Sequence, residues 1–462
     1  MPINKIRSIN DFIILYLVLQ SHDGKEYDFT SHMVEFTYHE SLFSPVVHGS
    51  MLVLDAVDYP TLLPIMGEER LKCAFTRQDE KSQTGGFLDA INFDLAVYTM
   101  HGQTNQRTGT GKSQTYFLKY ISDEAYTNAG TKIHRKYRNM RYSDMAEKIF
   151  DDFLKNDTNK INIEETSGTY SYYAQNVKPF TAISNLALRS ISNEDNGYNY
   201  LFYRDRFGYN FKTFSSLAKE EPVLAITYSP KNIPDEAKEN DLYSVSQYID
   251  KSQYDSLLSA VSGEATSALL TVDPLRRKFY LNAFDLRGDE GFNQHKINLL
   301  QDSDWSKFPH MHKSKHYIDN SRMFVNPRSN LAMQITDLGH KDTQYITERD
   351  SDIYIHEPEY YYKQTQSHIK QMQTKTMSVS LSGHPYVRAG SVIEFLLPEQ
   401  LGKIGEKDAQ ELDKYAQGRY VVTKVTHILK NNKYTMNIDM VKDSFFSDIE
   451  ARNPVEEYKN IF

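Results

Sequence analysis

Apolar and polar residues alternate along most of the first 120 positions, a pattern typical of half-buried strands. A first apolar run, Phe12 to Leu19, leads into a predicted turn at Gly24, and two further strands are separated by a break at Pro45. The later strands are predicted in GEERLKCAFT, DAINFDLAVYTM and SQTYFLKYIS. We therefore predict an all-β unit, a sandwich or a barrel, for residues 1–122.

After residue 123 the apolar period changes from two to about 3.6 residues, which indicates helices. Ser143 is a predicted helix N-cap, and Pro179 marks the first turn of a second helix. The apolar stripes of these helices contain Met145, Ile149 and Phe153 in the first and Phe180, Ile183, Ala187 and Ile191 in the second. An aromatic hairpin turning between Asp205 and Gly208 follows. We predict a mixed α/β middle domain over residues 123–235.

Strand signals return after the polar stretch SPKNIPDEAKEND. We predict a second β-barrel formed by residues 236–290 and 370–448, interrupted by a polar, irregular insertion at 291–369. The insertion contains one predicted helix, YYYKQTQSHIKQMQ. Residues 449–462 are predicted to be a C-terminal tail.

Two stretches of the chain share one order of features: a glycine, a strand, a gap, a hairpin and an aspartate. The first runs from Gly67 to Asp123, and the second, of nearly equal length, runs from Gly390 to Asp443. The shared order predicts two copies of one small β-barrel that flank the α/β domain. Two unrelated β units are the alternative explanation.

The composition is that of a folded, strand-rich protein. Hydrophobic residues make up 39% and charged residues 25% of the 462 positions, enough for several cores. The 33 tyrosines and 24 phenylalanines favour pleated, half-buried surfaces or contact surfaces. The net charge of −8 argues against a protein whose main task is to grip nucleic acid, because phosphate binding needs a positive field. Solubility alone also explains this mild acidity.

Cys73 is the sole cysteine, so the chain has no intrachain disulfide and no cysteine-based zinc site. The apolar run Phe12 to Leu19 is far shorter than the roughly 20 residues of a membrane span, and no small-x-small cleavage site follows it. We expect a soluble protein that is not exported by a signal peptide.

The stretch RTGTGKS ends like a phosphate-binding loop, with Gly111, Lys112 and Ser113 at its last three positions. Gln106 stands where the first glycine of that motif is required, and no helix pattern follows to present backbone amides to a phosphate. A hairpin turn is therefore the favoured interpretation.

Two dipeptides begin the zinc-protease helix motif H-E-x-x-H. These dipeptides are His39-Glu40 and His356-Glu357. Phe43 and Tyr360 stand where the second histidine is required, and Pro358 breaks the second helix. Neither dipeptide therefore predicts a zinc site.

His310, His312 and His316 form a histidine cluster, of which the last two could chelate a metal from one helical face. Without a fourth ligand in this polar segment, solvated histidines are the favoured interpretation. With no G-x-S-x-G elbow present either, we predict no catalytic, cofactor-binding or metal-binding residues and no enzyme activity.

A basic stripe is interleaved with two tyrosines at the start of the middle domain. It comprises Lys132, Arg135, Lys136, Arg138 and Arg141, with Tyr137 and Tyr142. Such a stripe is compatible with nucleic-acid binding. In an acidic chain, a subunit contact or an exposed strand face is favoured.

Several stretches, in this order, resemble the central baseplate hub of contractile-tailed bacteriophages, a fold shared with the hub part of the type VI secretion spike protein. The stretches are LLPIMGEERLKCAFT, YFLKYISDEAYTNAGTKIHRKYRNMRYSDMAEKIFDDFL, VKPFTAISNLALRSISNEDNGYNYLFYRD, VSLSGHPYVRAGSVIEFLLP and GRYVVTKVTHILKNNKYTMNIDMVKD. The predicted insertion at 291–369 departs from the family core. Order and spacing carry the resemblance, since no single stretch is diagnostic.

The resemblance implies a homotrimeric structural protein of the virion baseplate, made in the host cytoplasm. Two similar barrels per subunit would form a ring of six between a six-fold tail tube and a three-fold central spike. The implied partners are the spike, tail tube or tube-initiator proteins, baseplate wedge proteins and a tape-measure protein. DNA would be passing cargo in the channel, without membrane insertion by the hub itself. The hub of a related injection or secretion device is a close alternative, and a glycan-cleaving or glycan-binding tail protein is a rival of a different class.

Overall fold

A computed structural model describes residues 12–63, 65–77, 90–108, 111–156, 160–194, 197–228, 243–252, 266–274, 277–285, 331–335, 361–398, 413 and 416–442. The fold is mainly β with an α/β middle part, as predicted. None of the described helices is long and apolar enough to cross a membrane.

The first β unit contains the strands that alternation predicts. They are β1 (Phe12–Gln20), β2 (Glu26–Asp28), β3 (Met33–Ser41), β4 (His48–Asp55), β5 (Arg70–Arg77), β6 (Ile91–Thr108) and β7 (Gly111–Ile121), with the short helix α1 (Tyr59–Leu62) after β4. Tyr116, Leu118 and Tyr120 share one face of β7 and are fully buried in the core of this unit. The predicted turn at Gly24 is present, with the positive φ of 83° that glycine accepts readily.

The middle part alternates helices and strands around its own core. Its elements are α2 (Glu124–Gly130), β8 (Ile133–Met140), α3 (Tyr142–Phe153), β9 (Ile161–Ile163), β10 (Tyr170–Val177), α4 (Pro179–Ala187), β11 (Tyr200–Asp205), β12 (Gly208–Thr213) and α5 (Phe214–Ala218). The two longer helices bury the predicted apolar stripes, including Met145, Ile149 and Ile183. The aromatic hairpin β11–β12 turns between Asp205 and Gly208, as predicted.

Two details of the helix predictions are wrong. Ser143 lies inside α3, which begins at Tyr142 after the cap position Arg141, and its backbone N–H donates to Thr166 Oγ1 at 3.0 Å. A tertiary partner therefore satisfies the amide group that a cap would serve. Helix α4 ends at Ala187, so Ile191 lies beyond it.

The remaining elements begin at residue 222. They are β13 (Pro222–Tyr228), β14 (Ser244–Asp250), β15 (Thr266–Asp273), β16 (Lys278–Asp285), β17 (Leu331–Ile335), α6 (Tyr362–Thr374), β18 (Thr376–Ser382), β19 (Val392–Leu396), β20 (Gly418–Lys430) and β21 (Lys433–Val441). Six of these strands close a barrel in the order β13–β14–β18–β21–β20–β19, with β19 returning to β13. Met377, Val379 and Leu381 of β18 point into its core.

The first unit repeats this order strand for strand. In the first unit β1–β5–β6–β7–β4–β3 are neighbours in the sheet, and the matching order in the second is β13–β19–β20–β21–β18–β14. The matching strands also follow one another in the same chain order. One pairing differs in direction, since β1 is antiparallel to β5 whereas β13 is parallel to β19. This correspondence supports the two similar barrels predicted from the sequence.

The closing hairpin β20–β21 joins the two units into one 13-stranded sheet. The first residues of β20 pair with β19 of the second barrel, whereas Lys424–Lys430 pair with Glu35–Ser41 of β3 in the first unit. Leu429 and Tyr434, on either side of the hairpin turn, are buried in the core of the first unit. The hairpin is therefore shared by both units.

Strands β15, β16 and β17 form a separate three-stranded sheet. Strands β15 and β16 lie before the predicted boundary between 290 and 291, and β17 lies after it. The domain boundaries themselves stay predictions. The predicted helix of the insertion is present as α6.

Candidate assembly surface

The outward face of the continuous sheet carries mostly polar side chains across both β units. Antiparallel register aligns them in rows perpendicular to the strands. One row consists of Gln247, Ser380, Asn437, Thr426, His39 and His48. A second row consists of Thr435, Ile428, Thr37, Ser50 and Lys119. The rows cross from the second barrel to the first where β20 pairs with β3.

Side chains on this face hydrogen-bond to one another along the rows. Ser380 Oγ donates to Asn437 Oδ1 at 2.8 Å, and Thr37 Oγ1 lies 3.0 Å from Ser50 Oγ. Because hydroxyl and amide groups satisfy their neighbours, the face is polar without being highly charged.

Charges on the same face are partly balanced by ion pairs. Lys430 Nζ lies 2.6 Å from Glu35 Oε2, and Lys251 Nζ lies 3.1 Å from Asp439 Oδ1. Exposed pairs of this kind contribute little to stability, but they cancel the local field. Four of the charged side chains on this face are therefore paired, whereas Lys424 and Lys119 add positive charge to it.

A buried carboxylate marks the point where the two β units and the middle part meet. Glu40 of β3 accepts hydrogen bonds from Tyr38 Oη and from the backbone N–H of Ala389, each at 3.1 Å. The pKa of Glu40 is raised to about 7, mainly by burial and secondly by the nearby Asp205 carboxylate. Asp205 in turn accepts a hydrogen bond from Arg388 at 3.3 Å. Residues from three parts of the chain are thus held by one polar cluster.

A cavity of about 480 Å³ lies between the first unit and the middle part. Arg70 at its edge pairs with Asp94 at 2.8 Å and with Asp123 at 2.7 Å. Arg204 pairs with Glu124, whose side chain is almost fully buried. Arg70 and Arg204 therefore each pair with carboxylates that also line the cavity.

The candidate motifs of the sequence lie at different places in the fold. Thr108 pairs with Gly111 in the antiparallel pair β6–β7, so the described residues of RTGTGKS belong to a hairpin, as favoured. His39 and Glu40 lie on strand β3 rather than on a helix and point to opposite faces. Cys73 is fully buried in β5, where burial raises the pKa of its thiol. His310, His312, His316 and the dipeptide His356-Glu357 lie outside the described residues.

The basic stripe is an exposed strand face, in agreement with one of the two favoured interpretations. Arg135 of β8 pairs with Asp152 of α3, and Arg141 pairs with Glu165. Tyr137 and Tyr142 are buried in the core of the middle part. Because both tyrosines are buried, they offer no stacking surface to a nucleic-acid base.

Sequence reasoning did not find the polar rows. The available signal was the alternation of Thr376, Ser378 and Ser380 with apolar residues in β18, which indicates one polar face. The neighbours of that face lie up to several hundred positions away, and their register cannot be read from local alternation.

No family model matches the sequence, and no curated protein matches it. Solved structures do. A tail protein from Neisseria meningitidis MC58 matches over 93% of this chain and 96% of its own, with a TM-score of 0.50 and 8% identity. The 43 kDa tail protein of prophage MuSo2 from Shewanella oneidensis matches over 93% of this chain and 98% of its own, with a TM-score of 0.50 and 9% identity.

A third solved structure, the prophage tail protein gp18 from Listeria monocytogenes EGD-e, has 10% identity and a TM-score of 0.41 over 96% of this chain and 97% of its own. The fold assignment rests on the first two matches, each of which covers nearly the full length of this chain and of the matched chain. The chain therefore has the fold of phage tail proteins, in agreement with the resemblance found in its sequence.

Proposed function

We propose that the chain is the central hub of a phage baseplate, a structural protein without catalytic activity that joins a six-fold tail tube to a three-fold spike. The observation that carries this proposal is the strand-for-strand repeat of one β unit within a single chain. Three copies of a chain with two like units present six similar units in a ring. Such a ring matches six-fold symmetry on one side while the chain itself keeps three-fold symmetry on the other.

The polar face of the continuous sheet supplies the second part of the proposal, because it would line the channel of that ring. Its rows cross from the second barrel to the first unit, one from Ser380 through Asn437 and Thr426 to His39, and the other from Thr435 through Ile428 and Thr37 to Ser50. A weakly charged wall lets DNA or a tape-measure protein slide past, since it neither binds phosphates tightly nor repels them. The proposed partners are the spike, tail tube or tube-initiator proteins and wedge proteins.

The experiment that tests the hub is the mass of the purified chain in solution, alone and mixed with its candidate spike protein. We expect the mass of a trimer in at least one of the two conditions. A chain that stays monomeric and does not bind the spike protein would contradict the proposal.

The channel is tested separately. In assembled particles, Asn437→Lys and Ser380→Lys add positive charge to the polar face and are expected to slow DNA ejection. Gln175→Lys, on an exposed position of β10 in the middle part, is the matched control. Unchanged ejection in all three variants would remove this face from the channel and leave the trimer untouched.

A further inference from the structure

Two histidines lie directly opposite each other on the outward face of the first unit. His39 of β3 and His48 of β4 are register partners in the antiparallel pair. Their ring centroids are 5.1 Å apart and their planes differ by 26°. Two imidazoles that share one metal ion, each with a nitrogen roughly 2.1 Å from it, also have centroids about 5 Å apart.

The ring of His39 is held in place by a residue from the second β unit. Its Nδ1 lies 2.8 Å from Thr426 Oγ1 on β20. In the tautomer whose Nδ1–H donates to Thr426, Nε2 keeps a free lone pair. Metal-binding histidines are commonly oriented in this way, with the second ring nitrogen donating to an oxygen.

His48 differs from His39 in having an exposed ring. Within the part of the chain that the structure describes, that ring makes no hydrogen bond, although it stacks against His39. One imidazole is therefore oriented in advance, and the other is able to turn its nitrogen towards a shared ion.

We propose that His39 and His48 form a two-nitrogen site for a divalent late transition-metal ion, with water in the remaining coordination positions. Imidazole nitrogen selects Ni²⁺, Cu²⁺ and Zn²⁺ over Mg²⁺ and Ca²⁺, which prefer oxygen. The described residues contain no group of three or more histidine, cysteine or acidic side chains around a common point, so the protein supplies two ligands here. A bound ion would connect β3 and β4 and, through Thr426, the closing hairpin.

The positive charge of Lys424 disfavours metal binding at this site. This lysine lies on β20 opposite Ser41, one position along the same face from Thr426, and its charge acts on both rings. A nearby cation disfavours binding of a second cation. Removing the lysine charge should therefore strengthen metal binding, whereas removing either imidazole should weaken it.

The test is titration of the tag-free chain with NiCl₂ by calorimetry, in a background in which His310, His312 and His316 are replaced by alanine. The expected result is one Ni²⁺ per chain that is lost, or weakened at least about tenfold, in both His39→Ala and His48→Ala. His101→Ala, at an exposed position of β6, is the control and should bind as the background does.

Lys424→Gln should bind Ni²⁺ several-fold more tightly than the background. The proposal is overturned if His48→Ala binds Ni²⁺ as well as the background chain, or if the background chain binds none. Because His48 is exposed, its replacement should leave the fold intact, and the thermal melt without metal verifies this. Should His39→Ala fail to fold, His48→Ala decides the outcome alone.

Discussion

Arg77, the last residue of β5, donates from Nε to the carbonyl oxygen of Gly383 at 2.5 Å. The arginine is fully buried, and its Nη2 also donates to Ser382 Oγ at 2.5 Å and to the carbonyl oxygen of Tyr434 at 3.2 Å. Its guanidinium lies over the Tyr434 ring, 5.1 Å from the centroid. One side chain of the first unit therefore satisfies backbone and hydroxyl acceptors of the second.

Replacing Arg77 by methionine should destabilise the protein by about 2–4 kcal/mol, because buried acceptors are left without a charged donor. The measurement is the free energy of unfolding in urea. Arg70→Met is the matched control on the same strand, where the arginine is half-exposed and pairs with surface carboxylates. The control should cost less than about 1 kcal/mol. Equal effects of the two substitutions would contradict a special role for the buried arginine.

Gly383 should not tolerate a side chain. A Cβ at this position would lie 2.3 Å from two ring carbons of Tyr434, so Gly383→Ala forces that ring out of the core. We expect a loss of about 1–3 kcal/mol in the free energy of unfolding. Gly130→Ala, at the end of α2 with nothing within 4 Å of the added Cβ, should be neutral or slightly stabilising. A stable Gly383→Ala variant would show that Tyr434 can move without cost.

His427 should make the protein acid-sensitive. The pKa of His427 is lowered to about 3, mainly by burial and secondly by the positive charge of Arg206. A histidine in the unfolded chain has a pKa of about 6.5. Because the folded pKa is depressed, the unfolded state takes up the proton first, and stability is lost as the pH falls below about 6.5. The loss from this group between pH 7 and pH 5 should be about 2 kcal/mol.

The measurement is the free energy of unfolding at several pH values for the unmodified chain and for His427→Gln. The difference between the two proteins should shrink as the pH falls from 7 to 5. His22→Gln, in the exposed turn after β1, is the matched histidine-to-glutamine control. A His427→Gln variant with the original slope would assign the acid sensitivity to other groups.

Cys73 should be inert in the folded protein. It is fully buried in β5, and burial raises the pKa of its thiol, so both access and thiolate formation are suppressed. A colorimetric thiol reagent should detect no free thiol in native protein and one per chain in guanidinium chloride. Rapid reaction without denaturant would indicate that the first unit opens. The inert thiol makes the chain suitable for cysteines introduced on the polar face.

Local sequence patterns predicted the strands and helices that bury one face, because alternation and helical periodicity report burial directly. Met377 of β18 and Ile149 of α3 are both buried at the predicted positions. Ser143 was assigned as a cap on its residue type alone, and its actual partner, Thr166, lies 23 positions away. A preference of the residue type did not reveal that tertiary contact.

By itself the sequence determined a mainly β chain with an α/β middle part, and the recurring order of glycine, strand and hairpin predicted two like β units, with two unrelated units as the alternative. Tertiary structure alone decided that both units share one sheet. Lys424 is the strand partner of Ser41, although most of the chain lies between them in sequence. A shift of one residue in that pairing would turn the polar rows inward. Register between distant strands depends on packing of both cores at once, so the candidate channel face and the histidine pair emerged only in the fold.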